Sequence, residues 1–457
     1  MFINSNQIKN VSEIKYKPKF YRNWKIFSLT LGTLLKKPSL LNSNLSYKKF
    51  FLSPNSIFNT LRLRNKLLLY KLICFNNQYY STPTIPAFPS KAYDCMVEKG
   101  GLNFLSAGSE IKNQIDSVFL GITNKCKLNC EYCYEKYNLN ESGNISAAKW
   151  NEIIKNLQNI GVNIFILSGG EPLIEFDKLI DILSSADKDQ SDFHLHTSGN
   201  SVTIQKVKQL KDAGLKAAAI GLDDFEEGRH DKIRGKGSFT DAVNALRLFN
   251  EEGVLTYVNL CVSKAMLKAD NLYAYYEFVK GLNVSMIELL EPRPCGGYFN
   301  NGFEKLLGAE DKNKLIEFTR SGNQKRTFKN YPLIYYVAHI EGKDQLGCHM
   351  GGLSHFYIDS KGNVCPCVFF PIKYGNILEV DIISVYKRMR GNLPVPLKTE
   401  CPSILLSEKC REIYKDKKEF PVPFEQIQGY INNLYEENPN SFRSLNYPTN
   451  NFEGKGS

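Results

Sequence analysis

Between residues 117 and 290 the sequence alternates two hydrophobic patterns, and this alternation restricts the possible folds more than any other feature of the chain. Runs rich in β-branched and aromatic residues at 117–123, 163–167, 193–196, 217–222, 256–262 and 286–290 read as buried strands. Between them, 147–159, 178–185, 204–213, 240–252 and 272–280 carry apolar residues at helical spacing. Strands alternating with helices form parallel βαβ units. Six such units fit a partial (β/α)6 barrel or a doubly wound sheet, and periodicity alone accommodates both. In either, functional groups gather at the C-terminal ends of the strands.

The flanks differ from this body. Residues 1–92 hold fifteen Lys or Arg against one acid, Glu13, while the remainder holds 43 basic and 46 acidic residues. The net charge of +11 is therefore a property of one end, which argues against nucleic acid as a partner of the body. Within this basic extension, 59–73 reads as a helix and the proline-punctuated stretch 81–89 as a linker. Basic helices can lie on anionic membranes. Scattered Leu, Phe and Tyr without a clean polar face favour packing on the body instead. A cleaved organelle-targeting peptide is the alternative for so acid-poor a segment. The longest uncharged apolar run, 26–35, is half of what a spanning helix needs. With no secretory signal evident, the expectation is a cytoplasmic protein with at most peripheral membrane contact. Beyond residue 340 Cys, Gly and Pro increase, and 355–367 reads as strand, turn, strand in a small separate module. The tail past about 420 is polar, with one helical candidate at 424–436 and a disordered end.

Twelve cysteines in 457 residues are too few for a disulfide scaffold, and they cluster, which favours metal ligation in a reducing compartment. Cys126, Cys130 and Cys133 lie within eight residues directly after the first strand. Three soft ligands without a clear fourth suit a [4Fe–4S] cubane with one iron left open. Structural zinc, the competing reading, usually has paired knuckles and four ligands.

With this CxxxCxxC loop, which carries Tyr132 before its last cysteine, the chain resembles the radical S-adenosylmethionine (SAM) superfamily. Ser168-Gly169-Gly170-Glu171-Pro172, after the second strand, matches that family's glycine-rich turn. The resemblance implies a partial (β/α)6 barrel over about 110–315 and SAM contacts at Tyr132, Gly169, Gly170, Glu171 and Pro172. The glycines would let the backbone approach, and the carboxylate would accept hydrogen bonds from the methionyl ammonium. Ser198, in the turn after the third strand, is carried over as a further SAM contact. Gly221 stands where relatives often have a serine before Asp223, which removes a hydroxyl contact to the ribose. His230 and Arg234 fall in another family-like segment without an evident role. His194 and His196 share one face of a strand and read as polar lining of the barrel rather than ligands.

The C-terminal cysteines extend the resemblance. Cys348, thirteen residues, Gly362, four residues and Cys367 fit the CX(9–15)GX4C opening of the SPASM and twitch modules. Cys401 and Cys410 match the first and third positions of the CX2CX5CX3C continuation, where Ile404 and Tyr414 fill the others. The resemblance implies one auxiliary [4Fe–4S] cluster within 340–415, ligated by Cys348, Cys367, Cys401 and Cys410, with Cys365 as the spare and 416–457 as a tail. A module without a cluster, or with zinc, is the alternative. Cys74, Cys95, Cys261 and Cys295 read as plain buried thiols.

A radical SAM enzyme reductively cleaves SAM to a 5′-deoxyadenosyl radical, which abstracts hydrogen from a substrate. The implied electron donor is a one-electron reductant such as flavodoxin or ferredoxin. Peptide or protein modification is the leading expectation; tetrapyrrole or other cofactor synthesis and lipid chemistry are the alternatives. A non-catalytic iron–sulfur electron carrier would explain the cysteines but not the Gly-Gly-Glu-Pro turn.

Overall fold

Nine strands join in one sheet, and the six-strand run expected from the hydrophobic pattern forms its centre. The computed structural model describes residues 16–22, 62–99, 115–143, 145–300, 302–393, 395–417 and 419–436. Strands β1 (Lys19–Arg22), β2 (Lys71–Phe75) and β3 (Gln78–Tyr80) form a small antiparallel sheet. The parallel run consists of β4 (Ser117–Thr123), β5 (Ile164–Gly169), β6 (Asp192–Thr197), β7 (Ala217–Gly221), β8 (Leu255–Cys261) and β9 (Met286–Leu290). Strand β10 (Leu333–Tyr336) adds in parallel to β9, and β11 (His355–Ile358) adds in parallel to β4. Strand β12 (Val364–Cys365) closes that edge antiparallel to β11.

In chain order the helices of this part are α1 (Lys91–Glu98), α2 (Ala147–Asn159), α3 (Phe176–Ser185), α4 (Ile204–Asp212), α5 (Glu227–Arg234), α6 (Ser238–Glu251), α7 (Asn271–Gly281) and α8 (Ala309–Gln324). The five helices that the sequence predicts cross between the strands, and α1, α5 and α8 join them without having been expected. Ser146 and Thr203 start α2 and α4 by accepting the backbone N–H groups of Lys149 and Lys206. On the central strands alternate residues separate two cores. Ala218, Ile220, Val258, Leu260, Ile287 and Leu289 join the apolar core that includes the helix residues. Ala217, Ala219, Leu255, Tyr257 and Met286 point the other way and pack with Leu67, Leu69, Ile73, Phe75 and Tyr80. The described residues 67–80 of the basic N-terminal region thus pack against the lower end of the barrel and leave its C-terminal end for the site.

Two expectations for this region change. Of the helix expected over 59–73, the described positions keep only 62–66 helical, and 71–75 becomes β2. Asn76 and Asn77 take φ of 49° and 60°, the backbone of a two-residue hairpin turn, and β2 folds back on β3. The stretch 81–89 is not a free linker. Tyr79 and Phe88 exchange backbone hydrogen bonds of 2.6 and 2.9 Å, and the Ala87 N–H donates to Asp192 at 3.1 Å. No described helix is long and apolar enough to cross a membrane.

The cysteine-rich region is likewise joined to the barrel rather than separate, because β11 pairs along β4 from His355–Ser117 to Ile358–Leu120. It continues through α9 (Ile382–Asn392), α10 (Ser407–Lys417) and α11 (Phe424–Glu436). Phe424, Ile427 and Ile431 of α11 are buried in the main core, so the described part of the polar tail is structural. The expected disordered end falls on 437–457, outside the described residues.

Lys71 anchors the hairpin. It is 2 % exposed, and its ammonium lies 3.0 Å from the Tyr276 hydroxyl and 2.7 Å and 3.0 Å from the carbonyls of Phe328 and Tyr331. Lys71→Met should leave these buried acceptors unsatisfied and lower the unfolding free energy by about 2 kcal/mol. Urea denaturation of the two proteins measures the difference; an unchanged midpoint would show that the ammonium does not hold the hairpin.

Candidate active site

The cysteine loop leaves the C-terminal end of β4 and is held by its backbone. Asn140 accepts the Cys126 N–H and donates back to the Cys126 carbonyl, both at 3.0 Å. The Glu131 N–H donates to Ile233 of α5 at 3.0 Å, and the Cys130 thiol contacts the Arg234 carbonyl at 3.9 Å. The turn after β5 clasps the loop from the other side. Gly170 N–H donates to Thr123 at 2.7 Å and Glu171 N–H to Lys125 at 2.8 Å. A Cβ on Gly169, whose φ is +121°, would collide with the Thr123 carbonyl, and one on Gly170 with the Lys125 carbonyl. These glycines are required by the cysteine loop itself, a reason additional to any approach of SAM.

Glu171, which the resemblance makes a SAM contact, turns toward the end of β6 in this structure. Its carboxylate accepts from Thr197 Oγ1 at 2.7 Å, Ser198 N–H at 2.8 Å, Ser198 Oγ at 2.5 Å and Leu173 N–H at 3.1 Å. It is buried and, like Pro172, does not line the cavity described below. It fixes the turn after β6 and so places Ser198, which does line the cavity. Four donors from its own chain saturate it, so an ammonium would have to displace them.

Tyr132 meets a buried ion pair. Its hydroxyl donates to Asp223 at 2.5 Å, and Arg234 reaches both the Asp223 carboxylate and the Tyr132 oxygen at 2.5 Å. The other Asp223 oxygen takes the Cys261 N–H at 3.0 Å, and His230 Nδ1 accepts the Asp223 N–H at 3.1 Å. This explains Gly221: a Cβ there would collide with the Arg234 guanidinium. The segment left without a role by sequence thus ties the cysteine loop to the end of β7.

The barrel interior is polar but largely neutral. His194 and His196 flank the Tyr257 hydroxyl at 3.3 and 3.0 Å, and burial pushes both imidazoles down to about 3. Both rings hydrogen-bond the Tyr257 hydroxyl, and His196 also lines the cavity described below. Glu288 of β9 also lines the cavity, and burial alone pushes its carboxyl up to about 7. Sequence offered no motif for it; only its place on an inward strand face marks it.

The C-terminal cysteines divide. Gly362, with φ of +91°, turns the chain between β11 and β12 and returns Cys367 toward Cys348. Cys348 pairs through its backbone with Leu397, which leads on to Cys401. Cys348, Cys367 and Cys401 all line one cavity of about 530 Å³, together with Cys126, Cys130 and Cys133. Cys410 does not. It sits on α10 at 1 % exposure in the apolar core, because the helical periodicity of that segment turns it inward. Cys365 is buried on β12 and is also absent from the wall. Cys261 and Cys295, which read as plain thiols, do line the cavity. Cys74 and Cys95 do not.

Among the described residues no group of three or more His, Cys, Asp or Glu side chains is arranged for a single metal ion. A cluster asks for something different: soft thiolates spread around a core of several irons. The donors fit that request. Burial pushes the Cys126 thiol up to about 11 and raises Cys130 and Cys133 above the ordinary thiol range. Without a cation these are neutral thiols; iron would draw off their protons.

Comparison with known proteins agrees with this geometry. The profile of the Radical SAM superfamily matches residues 120–264. The PqqA peptide cyclase of Gluconobacter oxydans is 24% identical over 278 residues, covering 59% of this chain and 76% of its own. The AdoMet-dependent heme synthase of Oleidesulfovibrio alaskensis is 21% identical over 290 residues, covering 58% and 73%. In fold, the chain is similar to Streptococcus suis SuiB bound to S-adenosylmethionine. That match has a TM-score of 0.50 and 16% identity over 60% of this chain and 66% of that one.

Glu288 gives the site a pH signature. An unfolded Glu ionises near 4.3, whereas the folded group stays neutral to about 7. The folded state is therefore unaffected below about pH 4 and increasingly penalised as pH rises to 7. Glu288→Gln removes that penalty and should stabilise the cluster-free protein by about 3 kcal/mol at pH 8, with no gain at pH 4. Urea unfolding at the two pH values reads this; an equal shift at both would refute the raised carboxyl.

Proposed function

We propose that this chain, whose residues 120–264 match the Radical SAM superfamily, is a peptide- or protein-modifying enzyme whose radical and auxiliary clusters face one cavity. The observation that carries the reading is that Cys126, Cys130 and Cys133 line one cavity together with Cys348, Cys367 and Cys401. Cys126, Cys130 and Cys133 would hold the [4Fe–4S] cluster that binds SAM. Bound together, cluster and SAM supply a hydrogen-abstracting radical.

The chain's own residues do the rest. Gly169 and Gly170 place the main chain of the turn beside the cysteine loop, where SAM would lie along it. Ser198 spends its hydroxyl proton on Glu171, so its oxygen can accept a hydrogen bond from the methionyl ammonium. Tyr132 and Arg234, clamped by Asp223, wall the site on the β7 side. The N-terminal hairpin closes the lower end of the barrel against water. Glu288, which titrates at about 7, sits within the same cavity and can give or take a proton beside the substrate. Cys348, Cys367 and Cys401 would hold an auxiliary cluster, and a small one-electron donor protein such as flavodoxin or ferredoxin would supply the reducing electron.

Two kinds of relative bear on the substrate. The PqqA peptide cyclase, and SuiB as solved with its precursor peptide SuiA, favour a peptide. The heme synthase favours a tetrapyrrole as the second reading.

Anaerobically reconstituted, reduced protein should convert SAM to 5′-deoxyadenosine, and C126A/C130A/C133A should lower this at least a hundredfold. Peptides should stimulate formation above the substrate-free rate, whereas porphyrins should not. Activity surviving in the triple variant would refute the cysteine assignment; stimulation by porphyrins alone would transfer the substrate to the second reading.

A further inference from the structure

We propose that Cys295 is the fourth thiolate of the auxiliary cluster, in the position that sequence spacing gives to Cys410. The inference rests on the auxiliary-cluster reading above and concerns which residues complete it. Cys295 follows β9 in the barrel, more than fifty residues before Cys348, and belongs to no cysteine motif.

Three observations bring it to the cluster. First, Cys295 lines the same cavity as Cys348, Cys367 and Cys401, while Cys410 and Cys365 do not. Second, the thiols are electrostatic neighbours. Cys401 acts on Cys295, as does Cys133 of the radical-cluster loop, and Cys295 acts on Cys367, whereas the charge that acts on Cys410 is Arg411. Cys261, the other unassigned thiol in the wall, is acted on by Asp223, Arg234, Cys295 and Arg293 rather than by Cys367 or Cys401. Third, the segment is fixed by its backbone. The Cys295 N–H donates to the Arg293 carbonyl at 2.8 Å, and the Gly297 N–H to the Cys133 carbonyl at 2.9 Å. A Cβ on Gly296, whose φ is +51°, would collide with that same Cys133 carbonyl. Cys295 is therefore presented from a rigid turn rather than from a mobile loop.

The surrounding charge suits an anionic thiolate cluster. Arg293 is a largely buried cation, 11 % exposed, with Cys401 and Cys295 beside it. Glu291 partners it at 2.8 Å, and Tyr336 donates to the other Glu291 oxygen at 2.5 Å. Four thiolates around a cubane leave no open iron, so this cluster would hold neither SAM nor substrate as a ligand. It would act by electron transfer, and the Cys295–Gly297 turn would link it to the loop of the radical cluster.

The test uses full-length C126A/C130A/C133A protein, in which only the auxiliary site remains, reconstituted with iron and sulfide. This background should retain about four irons and a [4Fe–4S] electron paramagnetic resonance signal after reduction. Adding Cys295→Ala should drop the load to about three irons or fewer, with a [3Fe–4S] signal on mild oxidation. Adding Cys295→Ser, which keeps the size and offers an oxygen ligand, should keep about four irons with an altered spectrum. Adding Cys410→Ala should change neither. If both Cys295 variants match the background, or if Cys410→Ala produces the loss, the inference is overturned and the cluster reading stands. A background protein without iron would overturn both together.

Discussion

Backbone packed directly on backbone, without side chains between, holds the cysteine loop in place. Gly169 and Gly170 press on the carbonyls of Thr123 and Lys125, and Gly296 and Gly297 press on those of Cys133 and Glu131. Hydrogen bonds from Gly170, Glu171 and Gly297 run across the same contacts. Any side chain at these glycines would push the loop away and spread the three thiols. The clamp joins the ends of β4, β5 and β9, strands far apart in sequence but brought to one end of the barrel by the parallel topology. The cofactor site is therefore a consequence of the sheet, and the long-range closure of the sheet is what the cysteine motif depends on.

Charge in and around the cavity is managed by burial and by pairing. His194 and His196 are held neutral near pH 7 by burial, which also raises Glu288 to about 7, while Asp223 with Arg234 and Glu291 with Arg293 are compensated pairs. A buried pair adds little stability beyond the cost of desolvating its members, but breaking it is expensive. The pairs serve here to fix geometry: Asp223 joins β7, β8, α5 and Tyr132, and Glu291 joins the segment after β9 to β10.

The parts of this architecture that were legible in the sequence are those with local signatures. The six central strands and their helices follow from periodicity, and the CxxxCxxC loop falls where a parallel sheet puts its active end. Cys348, Gly362 and Cys367 were legible because a strand, a glycine turn and a strand are a local device. What escaped was set by tertiary contacts. Residues 71–75 follow a helix-like pattern, yet the Asn76-Asn77 turn and the barrel floor make them a strand. Cys410 kept the right spacing in a segment that is helical, so the spacing turns it into the core. Glu171 matched its motif, but Thr197 and Ser198 arrive from another strand to occupy it. Cys295 carried no signal because its partners lie in a different part of the chain.

The central claim is that the radical-cluster cysteines and the C-terminal cysteines face one common cavity. A crystal structure of the anaerobically reconstituted protein, with anomalous data at the iron edge, tests it most directly. The account predicts two iron peaks in one cavity, one beside Cys126, Cys130 and Cys133 and one beside Cys348, Cys367 and Cys401. A single peak, or a second peak beside Cys410 and away from that cavity, would contradict it.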